Sequence, residues 1–339
     1  MCLNDAVPTQ YLSSARKTGE YLADMEDILL AAHVNLDGDA LGALAACGYL
    51  FKKLGKRFAL YSSTGVPPYL RFLDLPGPVY KDLAFIPFMP QNAVYLDCSE
   101  PARLGPELEE KYLNFPSVNI DHHLCANGLG SLFNFIEPSA AATSQLVAYV
   151  AEELGQPLKG PLACAITLGL MTDTGGFCHG NTTADVFALC AKLARGGCDM
   201  MVIRENLQNS WSLDKLHLWG KAFELVKLHD HGEIAICAVP ASLLEECHCA
   251  KEDLEGLVEW LRKIRGVKAA CFLREEAKNK CKFSLRSVND VNVQLMAAEL
   301  GGGGHKNAAG GELFENLRTA EKLLLNIMEK QLHCGAQTN

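Results

Sequence analysis

The sequence lacks the features of a membrane-spanning or exported protein. Across its 339 residues, no apolar run approaches the roughly 20 residues that a membrane-spanning helix requires. The first 16 residues mix Asp5, Gln10 and Ser13 with apolar side chains and hold no continuous hydrophobic core of the kind found in a signal peptide. We therefore predict a cytoplasmic protein that does not act at a membrane.

Cysteine pairs with Cys-x-x-Cys spacing are also missing. The 14 cysteines are scattered singly through apolar stretches, and no two of them have the Cys-x-x-Cys spacing of common structural zinc sites. Cys247 and Cys249 flank His248, but no second pair follows them, so a structural role is favoured over zinc binding and the role of this tripeptide stays open. Without an export signal, this pattern predicts reduced and mostly buried thiols.

The chain has no excess of positive charge. It carries 31 Lys and Arg against 40 Asp and Glu, a formal net charge of −9, and its aromatic content is only 8%. A protein that coats long nucleic acid needs a basic groove with interleaved aromatic side chains, so long duplex nucleic acid is excluded as a partner. Nine basic side chains nevertheless fall within residues 262–286, where the acidic ones are Glu275 and Glu276. This segment predicts either an anion contact or a solvated basic surface.

The first 200 residues alternate short apolar runs with helical patterns. Strands are predicted at 27–33, 57–62, 93–97 and 117–121, and helices at 40–54, 141–154, 161–171 and 183–195. Such alternation is typical of an α/β fold, a parallel sheet with helices on both faces, and this is the fold class we predict. Ligands bind beyond the carboxyl ends of parallel strands. Because His33, Asp97 and Asp121 end three of these runs, we expect them to meet in one crevice.

A second, smaller α/β domain is predicted after a connecting segment. A helical pattern over 211–229 has no glycine-proline break, and we interpret it as a connecting helix. Strands are then predicted at 233–239, 267–273 and 282–286, helices at 251–263, 291–300 and 317–331, and a glycine-rich loop at 301–311. The predicted organisation is a first domain at 1–200, a connecting helix or linker at 201–230 and a second domain at 231–339.

Histidine and aspartate side chains cluster after the predicted strands of the first domain. Taken singly, each motif also fits a structural interpretation, either an Asp-Gly turn with a helix cap or a pair of surface histidines. Together they provide six oxygen and nitrogen ligands, enough for two divalent ions that share a carboxylate: His33, Asp37, Asp39, Asp97, His122 and Asp173. This mixture of ligands favours Mn²⁺ or Mg²⁺ over structural zinc.

At these residues the chain resembles the DHH phosphoesterase superfamily. The segments that carry the resemblance are 33–39, 121–123, 171–177 with 181–183, and 283–287 with 301–311. Asp121-His122-His123 matches the superfamily signature. The segments 283–287 and 301–311 resemble its substrate-binding DHH-associated domain. The resemblance covers residues 15 to 335. Leu36 departs from the proline usual at that position, which shapes a turn and provides no ligand.

The resemblance implies a dinuclear metal centre. In the pattern of the superfamily, one ion would be held by His33, Asp37 and Asp97, and the other by Asp39, Asp97, His122 and Asp173. Asp97 would bridge the two ions and His123 would face the scissile phosphate, so these two are the expected catalytic residues. Mn²⁺ is the expected metal, with Mg²⁺ or Co²⁺ as alternatives.

The resemblance also implies a substrate-binding role for the second domain. The residues expected to hold the far phosphate or terminal nucleotide of the substrate are Arg286, Gly302, Gly303, Gly304 and His305. Consecutive glycines let backbone N–H groups crowd around an anion, although a helix C-cap followed by a flexible linker is the structural alternative. The substrate is expected in a cleft between the domains.

The resemblance is strongest to short, stand-alone members that act on small nucleotides. It implies a hydrolase that cleaves short oligoribonucleotides or dinucleotides to mononucleotides, with 3′-phosphoadenosine 5′-phosphate and cyclic-di-AMP as further substrates. The alternatives are an inorganic pyrophosphatase or polyphosphatase, a nucleotide sensor without catalysis, and an exonuclease acting on long single strands. The physiological substrate, the metal in the cell, the direction of attack and the oligomeric state, for which a homodimer is one option, stay open.

Overall fold

The computed structural model describes residues 7–124, 127–208, 211–288 and 290–335. The chain divides into two compact units, Met1–Ser210 and Trp211–Asn339. Residues 1–6 of the segment considered as a signal peptide lie outside the described residues, as do Cys125 and the side chain of Cys334.

A six-stranded parallel sheet forms the centre of the first unit. Its strands are β1 (Ile28–Ala32), β2 (Phe58–Tyr61), β3 (Val79–Tyr80), β4 (Asn92–Leu96), β5 (Ser117–Asp121) and β6 (Phe133–Ile136). They lie in the order β3-β2-β1-β4-β5-β6, and every neighbouring pair is parallel. The predicted parallel sheet is confirmed. The short outer strands β3 and β6 extend it, and their few, half-buried residues carry too weak a pattern to be predicted.

Helices bury the sheet of the first unit. They are α1 (Thr9–Asp24), α2 (Gly38–Lys53), α3 (Pro106–Lys111), α4 (Thr143–Glu153), α5 (Pro161–Asp173), α6 (Ala184–Arg195) and α7 (Met200–Gln208). On one face, Ile28 and Leu30 of β1 join a core formed with α1, α2, α4, α5 and α6. On the other face, Leu29 and Ala31 pack with α3 and irregular segments. Successive strand residues are thus buried on alternate sides, which explains the continuous apolar runs in the sequence.

Glycines bring α2 and α5 into close contact above the sheet. A Cβ atom at Gly42 would lie 2.6 Å from the carbonyl oxygen of Ala165, and one at Gly169 would overlap the carboxylate of Asp39. Backbone atoms cannot turn aside as a flexible side chain can, so Gly42 sets the separation of the two helices. The first turn of α2, with Asp39, therefore lies beside the last turn of α5, which ends at Asp173.

The second unit is built on a mixed six-stranded sheet. Its strands are β7 (Val226–His229), β8 (Ile234–Val239), β9 (Ala269–Ala277), β10 (Lys280–Ser287), β11 (Gly303–His305) and β12 (Ala308–Leu313). They lie in the order β11-β12-β10-β9-β8-β7, in which β8 and β9 are parallel and the other neighbours antiparallel. The prediction of a second, smaller α/β unit is confirmed.

Helices cover both faces of this second sheet. They are α8 (Leu213–Glu224), α9 (Ala241–Glu246), α10 (Leu257–Arg262), α11 (Val293–Ala298) and α12 (Leu317–Gly335). Apolar residues of α8, α9 and α10 form one core with β8 and β9, and residues of α11 and α12 form another on the opposite face. The sheet therefore separates two small cores within the unit.

The chain over 201–230 differs from the predicted connecting helix. It contains nearly all of α7, then α8, and finally the edge strand β7. Leu218, Trp219 and Ala222 bury one side of α8 in the second unit, and β7 pairs with β8. Helical spacing of apolar residues continues as far as Val226, so the pattern hid the change from helix to strand.

Glycine conformations account for two further differences. The predicted glycine-rich loop is a hairpin in which β11 pairs with β12, and Gly304 permits it with a φ of +139°, a conformation that favours glycine. The helix predicted over 251–263 is shorter, because Gly256 adopts a φ of +85° and α10 begins only at Leu257. Gly256 therefore interrupts a helical pattern that looks continuous in the sequence, whereas Gly304 permits strand pairing in a segment predicted as a loop.

The cysteines agree with the expectation of buried thiols. All 11 cysteines whose side chains are described are free, and most of them are buried, Cys178 being exposed. Cys247 packs in a core of the second unit. The thiol of Cys249 donates a hydrogen bond to the carbonyl oxygen of Cys247 at 3.3 Å. Separately, no helix in the described ranges combines the length and the apolar character needed to cross a bilayer.

The contact between α2 and α5 can be tested at Gly42. We expect Gly42→Ala to lower the free energy of unfolding by about 1–3 kcal/mol, because the added methyl group must push two helix backbones apart. Gly220→Ala is the matched control in α8, where a Cβ atom meets nothing within 4 Å, and it should be neutral or stabilise by up to about 1 kcal/mol. Urea unfolding followed by circular dichroism measures both changes. Equal effects would contradict the close contact.

Candidate metal centre

Three neighbouring strands end at side chains that the sequence marks as ligands. His33 follows β1, Asp97 follows β4, and β5 ends at Asp121 just before His122. Because β1, β4 and β5 are adjacent and parallel, their carboxyl ends meet at one edge of the sheet. These side chains do lie together at that edge.

The first group of ligand atoms surrounds Nε2 of His33. This nitrogen lies 3.6 Å from Oδ2 of Asp37 and 3.5 Å from Oδ2 of Asp97. His33 and Asp97 are buried, whereas the side chain of Asp37 is the most exposed of the three. Asp37 therefore lies on the solvent side of this group.

The second group of ligand atoms surrounds Nε2 of His122. Its distances are 3.2 Å to Oδ2 of Asp173, 3.8 Å to Oδ2 of Asp39 and 3.6 Å to Oδ1 of Asp97. Asp97 thus directs Oδ1 towards this group and Oδ2 towards His33. One carboxylate lies between the two groups, as the bridging role expected for Asp97 requires.

Both histidines present an unpartnered nitrogen to the carboxylates. Nδ1 of His33 donates to the carbonyl of Val34 at 2.7 Å, and Nδ1 of His122 lies 3.4 Å from the carbonyl of Ala140. Nε2 of each ring is buried and has no hydrogen-bond partner in the described part of the chain. A histidine that donates Nδ1–H to the backbone and leaves Nε2 free has the orientation typical of a metal ligand.

Backbone and hydroxyl donors hold the carboxylates in place. Asp37 caps α2 by accepting the N–H of Ala40 at 3.0 Å. Asp39 accepts the N–H groups of Thr143, at 2.5 Å, and Ser144, at 2.9 Å, where the first turn of α4 begins. The hydroxyl of Thr143 donates to Oδ1 of Asp97 at 2.9 Å. The positive end of α4 therefore stabilises negative charge at the site.

Thr143 is a site residue that the sequence analysis did not identify. It contacts two of the expected ligands, yet no local motif marks it, because it lies 46 residues from Asp97 in the sequence. Its position at the start of a helix is an ordinary place for threonine. A pattern search for ligands could not have found it.

The backbone of Asp97 adopts an uncommon conformation that Asn119 supports. Asp97 has a φ of +54°, in the left-handed region that few non-glycine residues occupy. The side chain of Asn119 donates to the carbonyls of Tyr95 and Cys98, both at 3.0 Å, and so fixes the turn on either side of Asp97. Asp97 is held in position by a neighbouring strand as well as by its own.

His123 lies beside the ligand groups, with Nδ1 3.5 Å from Oδ1 of Asp97, and it is oriented by Asp121. The buried carboxylate of Asp121 contacts Nδ1 of His123 at 2.8 Å and its backbone N–H at 3.0 Å, and it also accepts from the hydroxyl of Ser99. The ring of His123 is 42% exposed. Asp121 and Ser99 are therefore supporting residues of His123, a role that the sequence analysis did not assign to them.

The electrostatics of the site favour a bound cation. Burial lowers the pKa of His33 and His122, but the neighbouring carboxylates outweigh it and raise both pKa values to about 10. Burial, together with nearby negative charge, raises the pKa of Asp39 and of Asp173. Without a metal ion, the site therefore holds protons that a divalent cation would displace.

The donor set fits one or more divalent cations. Three overlapping groups each bring three ligand atoms within 4.8 Å of one another: His33, Asp37 and Asp97; Asp39, His122 and Asp173; and Asp97, His122 and His123. The mixture of carboxylate oxygens and imidazole nitrogens suits Mn²⁺ and related ions better than the thiolate sites of structural zinc. The six residues expected as ligands thus lie together in one candidate metal centre.

The other predicted site residues lie in the second unit, where β10, β12 and β11 are neighbours. In the strand register, Arg286 is opposite Ala308, which is opposite His305. Residues directly opposite each other share a face of the sheet, so Arg286 and His305 lie on one face about 10 Å apart, two strand spacings. Gly303 precedes His305 by two residues and belongs to the same face. We call Arg286, Gly303 and His305 the hairpin face.

The three glycines predicted to bind substrate have different surroundings. A Cβ atom at Gly302 would overlap the carbonyl of Gly310, and one at Gly304 would lie 2.5 Å from the carbonyl of Ala308. A Cβ atom at Gly303 would meet nothing within 4 Å. Packing of the hairpin therefore explains why positions 302 and 304 are glycine. It gives no reason for a glycine at position 303.

The fold and these side chains define an α/β protein with a candidate metal centre at the carboxyl edge of a parallel sheet. The sequence matches the family model described as "DHH family, N-terminal domain" over residues 27–170 and the one described as "DHHA1 domain" over residues 241–331. The chain is 32% identical over 340 residues to the bifunctional oligoribonuclease and PAP phosphatase NrnA of Thermus thermophilus, with 98% of each chain covered. The chain therefore belongs to the DHH phosphoesterase family.

Two further relatives widen the comparison. The cyclic-di-AMP phosphodiesterase GdpP of Geobacillus thermodenitrificans is 24% identical over 313 residues, which cover 87% of this chain and 46% of that protein. The crystal structure of an exopolyphosphatase-related protein from Bacteroides fragilis is similar with a TM-score of 0.86 and 25% identity, covering 94% of this chain and 96% of that one. Both similarities extend over the first and the second unit.

Metal binding is expected to release protons. With pKa values of about 10, His33 and His122 are protonated at neutral pH, and each must lose its proton before Nε2 can bind a cation. We therefore expect the affinity for Mn²⁺ to rise as pH increases from about 6 to about 9. Isothermal titration calorimetry in buffers of different ionisation enthalpy counts the released protons. His122→Gln should reduce the number of protons released. The control His217→Gln, at an exposed position, should not change that number. A binding heat that is the same in every buffer would refute the prediction.

Proposed function

We propose that the protein is a metal-dependent phosphoesterase that hydrolyses short oligoribonucleotides or dinucleotides to mononucleotides. The observation that carries this proposal is the carboxylate of Asp97, which lies between two groups of histidine and aspartate side chains. A pair of divalent cations on either side of one carboxylate would stabilise the entering and leaving oxygens of a phosphoryl group. The name of the Thermus thermophilus relative supports short oligoribonucleotides, and 3′-phosphoadenosine 5′-phosphate, as substrates.

The proposed cofactor is a pair of divalent ions, with Mn²⁺ preferred to Mg²⁺ or Co²⁺. One would be held by His33, Asp37 and Asp97, and the other by Asp39, Asp97, His122 and Asp173. The unpartnered Nε2 atoms of the two histidines support this assignment. Imidazole among the ligands favours Mn²⁺ over Mg²⁺, which prefers an all-oxygen shell.

His123 is proposed to contact the scissile phosphate. Its Nδ1 is engaged by Asp121, so Nε2 is the ring atom left for the substrate. The hydrogen bond to Asp121 raises the pKa of His123, despite the opposing effect of burial. In the protonated form of the ring, Nε2–H would donate a hydrogen bond to a phosphate oxygen or a proton to the leaving oxygen.

The hairpin face is proposed to bind the end of the substrate that is not cleaved. Arg286 and His305 supply donors for an anion, and the missing side chain of Gly303 leaves room above the sheet between them. A single binding face holds one end of a chain, which suits short substrates better than long ones. Long duplex nucleic acid and membranes are not proposed as partners.

Inorganic polyphosphate or pyrophosphate is the second candidate substrate. The Bacteroides fragilis structure, described as exopolyphosphatase-related, supports it, and the GdpP relative supports cyclic-di-AMP as a further substrate. The proposed metal centre would suit all of these substrates because each is hydrolysed at a P–O bond of a phosphate group. We also propose that the protein acts in the cytoplasm, which the free thiols support, and as a monomer or homodimer.

A panel of substrates tests the proposed function. Manganese-loaded protein is incubated with a dinucleotide, a pentanucleotide, 3′-phosphoadenosine 5′-phosphate, cyclic-di-AMP, pyrophosphate and polyphosphate, and the products are separated by chromatography. We expect mononucleotides to be released fastest from the dinucleotide. Asp97→Asn should lower kcat by more than about a hundredfold, since loss of even an outer partner of a metal ligand costs about ten- to a hundredfold.

The matched control for Asp97→Asn is Asp24→Asn, which neutralises an exposed carboxylate at the end of α1 and should leave kcat unchanged. Activity of Asp97→Asn within about tenfold of the wild type would refute the shared-carboxylate role. Faster hydrolysis of pyrophosphate or polyphosphate than of every nucleotide would replace the proposed substrate by the second candidate.

Substitution of Gly303 separates substrate binding from folding in the second unit. We expect Gly303→Ala to raise KM for a dinucleotide by about tenfold, because its methyl group enters the hairpin face, with little change in kcat. The urea midpoint should not change, since nothing lies within 4 Å of the added atom. Gly304→Ala should instead lower the midpoint, because of its φ and its contact with Ala308. An unchanged KM in a folded Gly303→Ala protein would argue against the hairpin face as the binding site.

A further inference from the structure

One carboxylate joins two arginines beside the hairpin face. Oε1 of Glu259 accepts a hydrogen bond from Nε of Arg286 at 2.6 Å, and Oε2 accepts one from Nε of Arg262 at 3.1 Å. Glu259 and Arg262 belong to α10, which packs against β9 and β10. About a third of each side chain is exposed: 30% for Arg286, 39% for Glu259 and 37% for Arg262. We call Arg262 and Arg286 the arginine pair, and Glu259 is the carboxylate that joins them.

The outer edges of both guanidinium groups remain available to a ligand. Each arginine uses Nε to contact Glu259, and Nη1 of Arg286 also donates to the carbonyl of Leu285 at 3.0 Å. Within the described ranges, Nη2 of Arg286 and both Nη atoms of Arg262 have no hydrogen-bond partner. Terminal N–H groups of this kind bind the oxygens of a phosphate in pairs.

Arg274, in the same sheet, has the contacts of a structural arginine. Its side chain is buried, and Nη1 and Nη2 both donate, to the carbonyl of Lys251 at 2.6 Å and to Glu276 at 2.5 Å. The bond to Lys251 ties β9 to the segment before α10, and the bond to Glu276 lies within β9. The Nε atom of Arg274 is buried and has no hydrogen-bond partner in the described part of the chain, whereas the unpartnered donors of Arg262 and Arg286 are terminal Nη atoms of partly exposed side chains. The structural explanation for Arg274 therefore does not cover the arginine pair.

We propose that Arg262, held beside Arg286 by Glu259, forms part of a binding site for the terminal phosphate monoester of a nucleotide. This inference rests on the proposed function, in which the hairpin face holds the uncleaved end of the substrate. The arginine pair and Glu259 together have a net charge of +1. His305 lies on the same face as Arg286. A terminal phosphate carries about −1.5 to −2 charges and three free oxygens. An internal phosphodiester has a single charge and two free oxygens, so it fits two guanidinium groups less well.

Glu259 is a positioning residue in this proposal. Two guanidinium groups at a half-buried surface repel each other, and a carboxylate that accepts from both Nε atoms holds them at fixed positions. Negative charge by itself opposes the binding of an anion. A glutamate at this position therefore has to act by fixing the geometry of Arg262 and Arg286.

Equilibrium binding tests the site independently of turnover. Isothermal titration calorimetry of the full-length protein measures binding of adenosine 5′-monophosphate and of adenosine. We expect Arg262→Ala to weaken binding of the monophosphate by about ten- to a hundredfold, the effect of losing a charge-assisted hydrogen bond, and binding of adenosine by less than about twofold. Lys268→Ala is the matched control. It removes a half-exposed positive charge paired with Glu233 and should change neither affinity.

Glu259→Gln distinguishes positioning from net charge. If net charge alone mattered, removal of the carboxylate would strengthen binding of the monophosphate. We expect Glu259→Gln to weaken it by about fivefold or more, because the amide has one acceptor oxygen and cannot hold both Nε atoms. Stronger binding in Glu259→Gln would overturn the positioning role.

Kinetics with two dinucleotides complete the test. Arg262→Ala should raise KM for a 5′-phosphorylated dinucleotide by about tenfold. It should leave KM for the unphosphorylated dinucleotide nearly unchanged. The kcat for bis-p-nitrophenyl phosphate should also stay nearly unchanged. Arg262→Lys, which keeps the charge and is less disruptive to folding, should show a smaller loss of affinity for the monophosphate. If the lysine variant binds as the wild type does, the guanidinium geometry has no role and the inference is wrong.

The inference and the proposed function can fail separately. A protein that hydrolyses no nucleotide but binds the monophosphate through Arg262 would refute the proposed function and support the phosphate site. A protein that hydrolyses dinucleotides but loses no more affinity in Arg262→Ala than in Lys268→Ala would support the proposed function. In that case the arginine pair and Glu259 form a surface salt bridge only.

Discussion

Repulsion among closely spaced carboxylates is the constraint that governs the carboxyl edge of the first sheet. Four aspartates surround two histidines at the carboxyl edge of the sheet, and negative charges at such distances cannot all persist without compensation. The protein supplies part of it through protons on His33 and His122, and part through the N–H groups that the start of α4 directs at Asp39. A divalent cation would supply the remainder more effectively, which is why this edge is a candidate metal centre.

Preorganisation of the metal centre comes from contacts that cross between elements. Asp97 keeps a left-handed backbone conformation because Asn119 binds the carbonyls around it, and its carboxylate is oriented by the hydroxyl of Thr143. A single residue in this conformation costs of the order of 1–3 kcal/mol when it is not glycine, so it persists only where the surroundings determine it strongly. The ligand positions therefore belong to the folded core and do not wait for a metal ion to assemble them.

Sequence analysis could predict the parts of this structure that have local signatures. Strands buried on both faces produce continuous apolar runs, so the parallel sheet and the positions of His33 and Asp97 at its edge could be derived from the chain. Contacts between distant segments have no such signature, and Thr143 and Glu259 were found only in the structure. The helix predicted over 211–229 was wrong in its second part because a pairing partner, β8, decides that β7 is a strand.

The glycine contact between α2 and α5 has a consequence for how this protein can change during evolution. Gly42 and Gly169 tie the helices that carry Asp39 and Asp173 to the interior of the first unit, so the reacting centre can hardly be altered without disturbing the core. The hairpin of β11 and β12 lies in the other unit and is open at Gly303. If the hairpin face binds substrate as proposed, substitutions at this open position would change which molecules are bound and leave the candidate metal centre undisturbed. Related proteins could then differ in substrate while keeping the same buried core around Asp39 and Asp173.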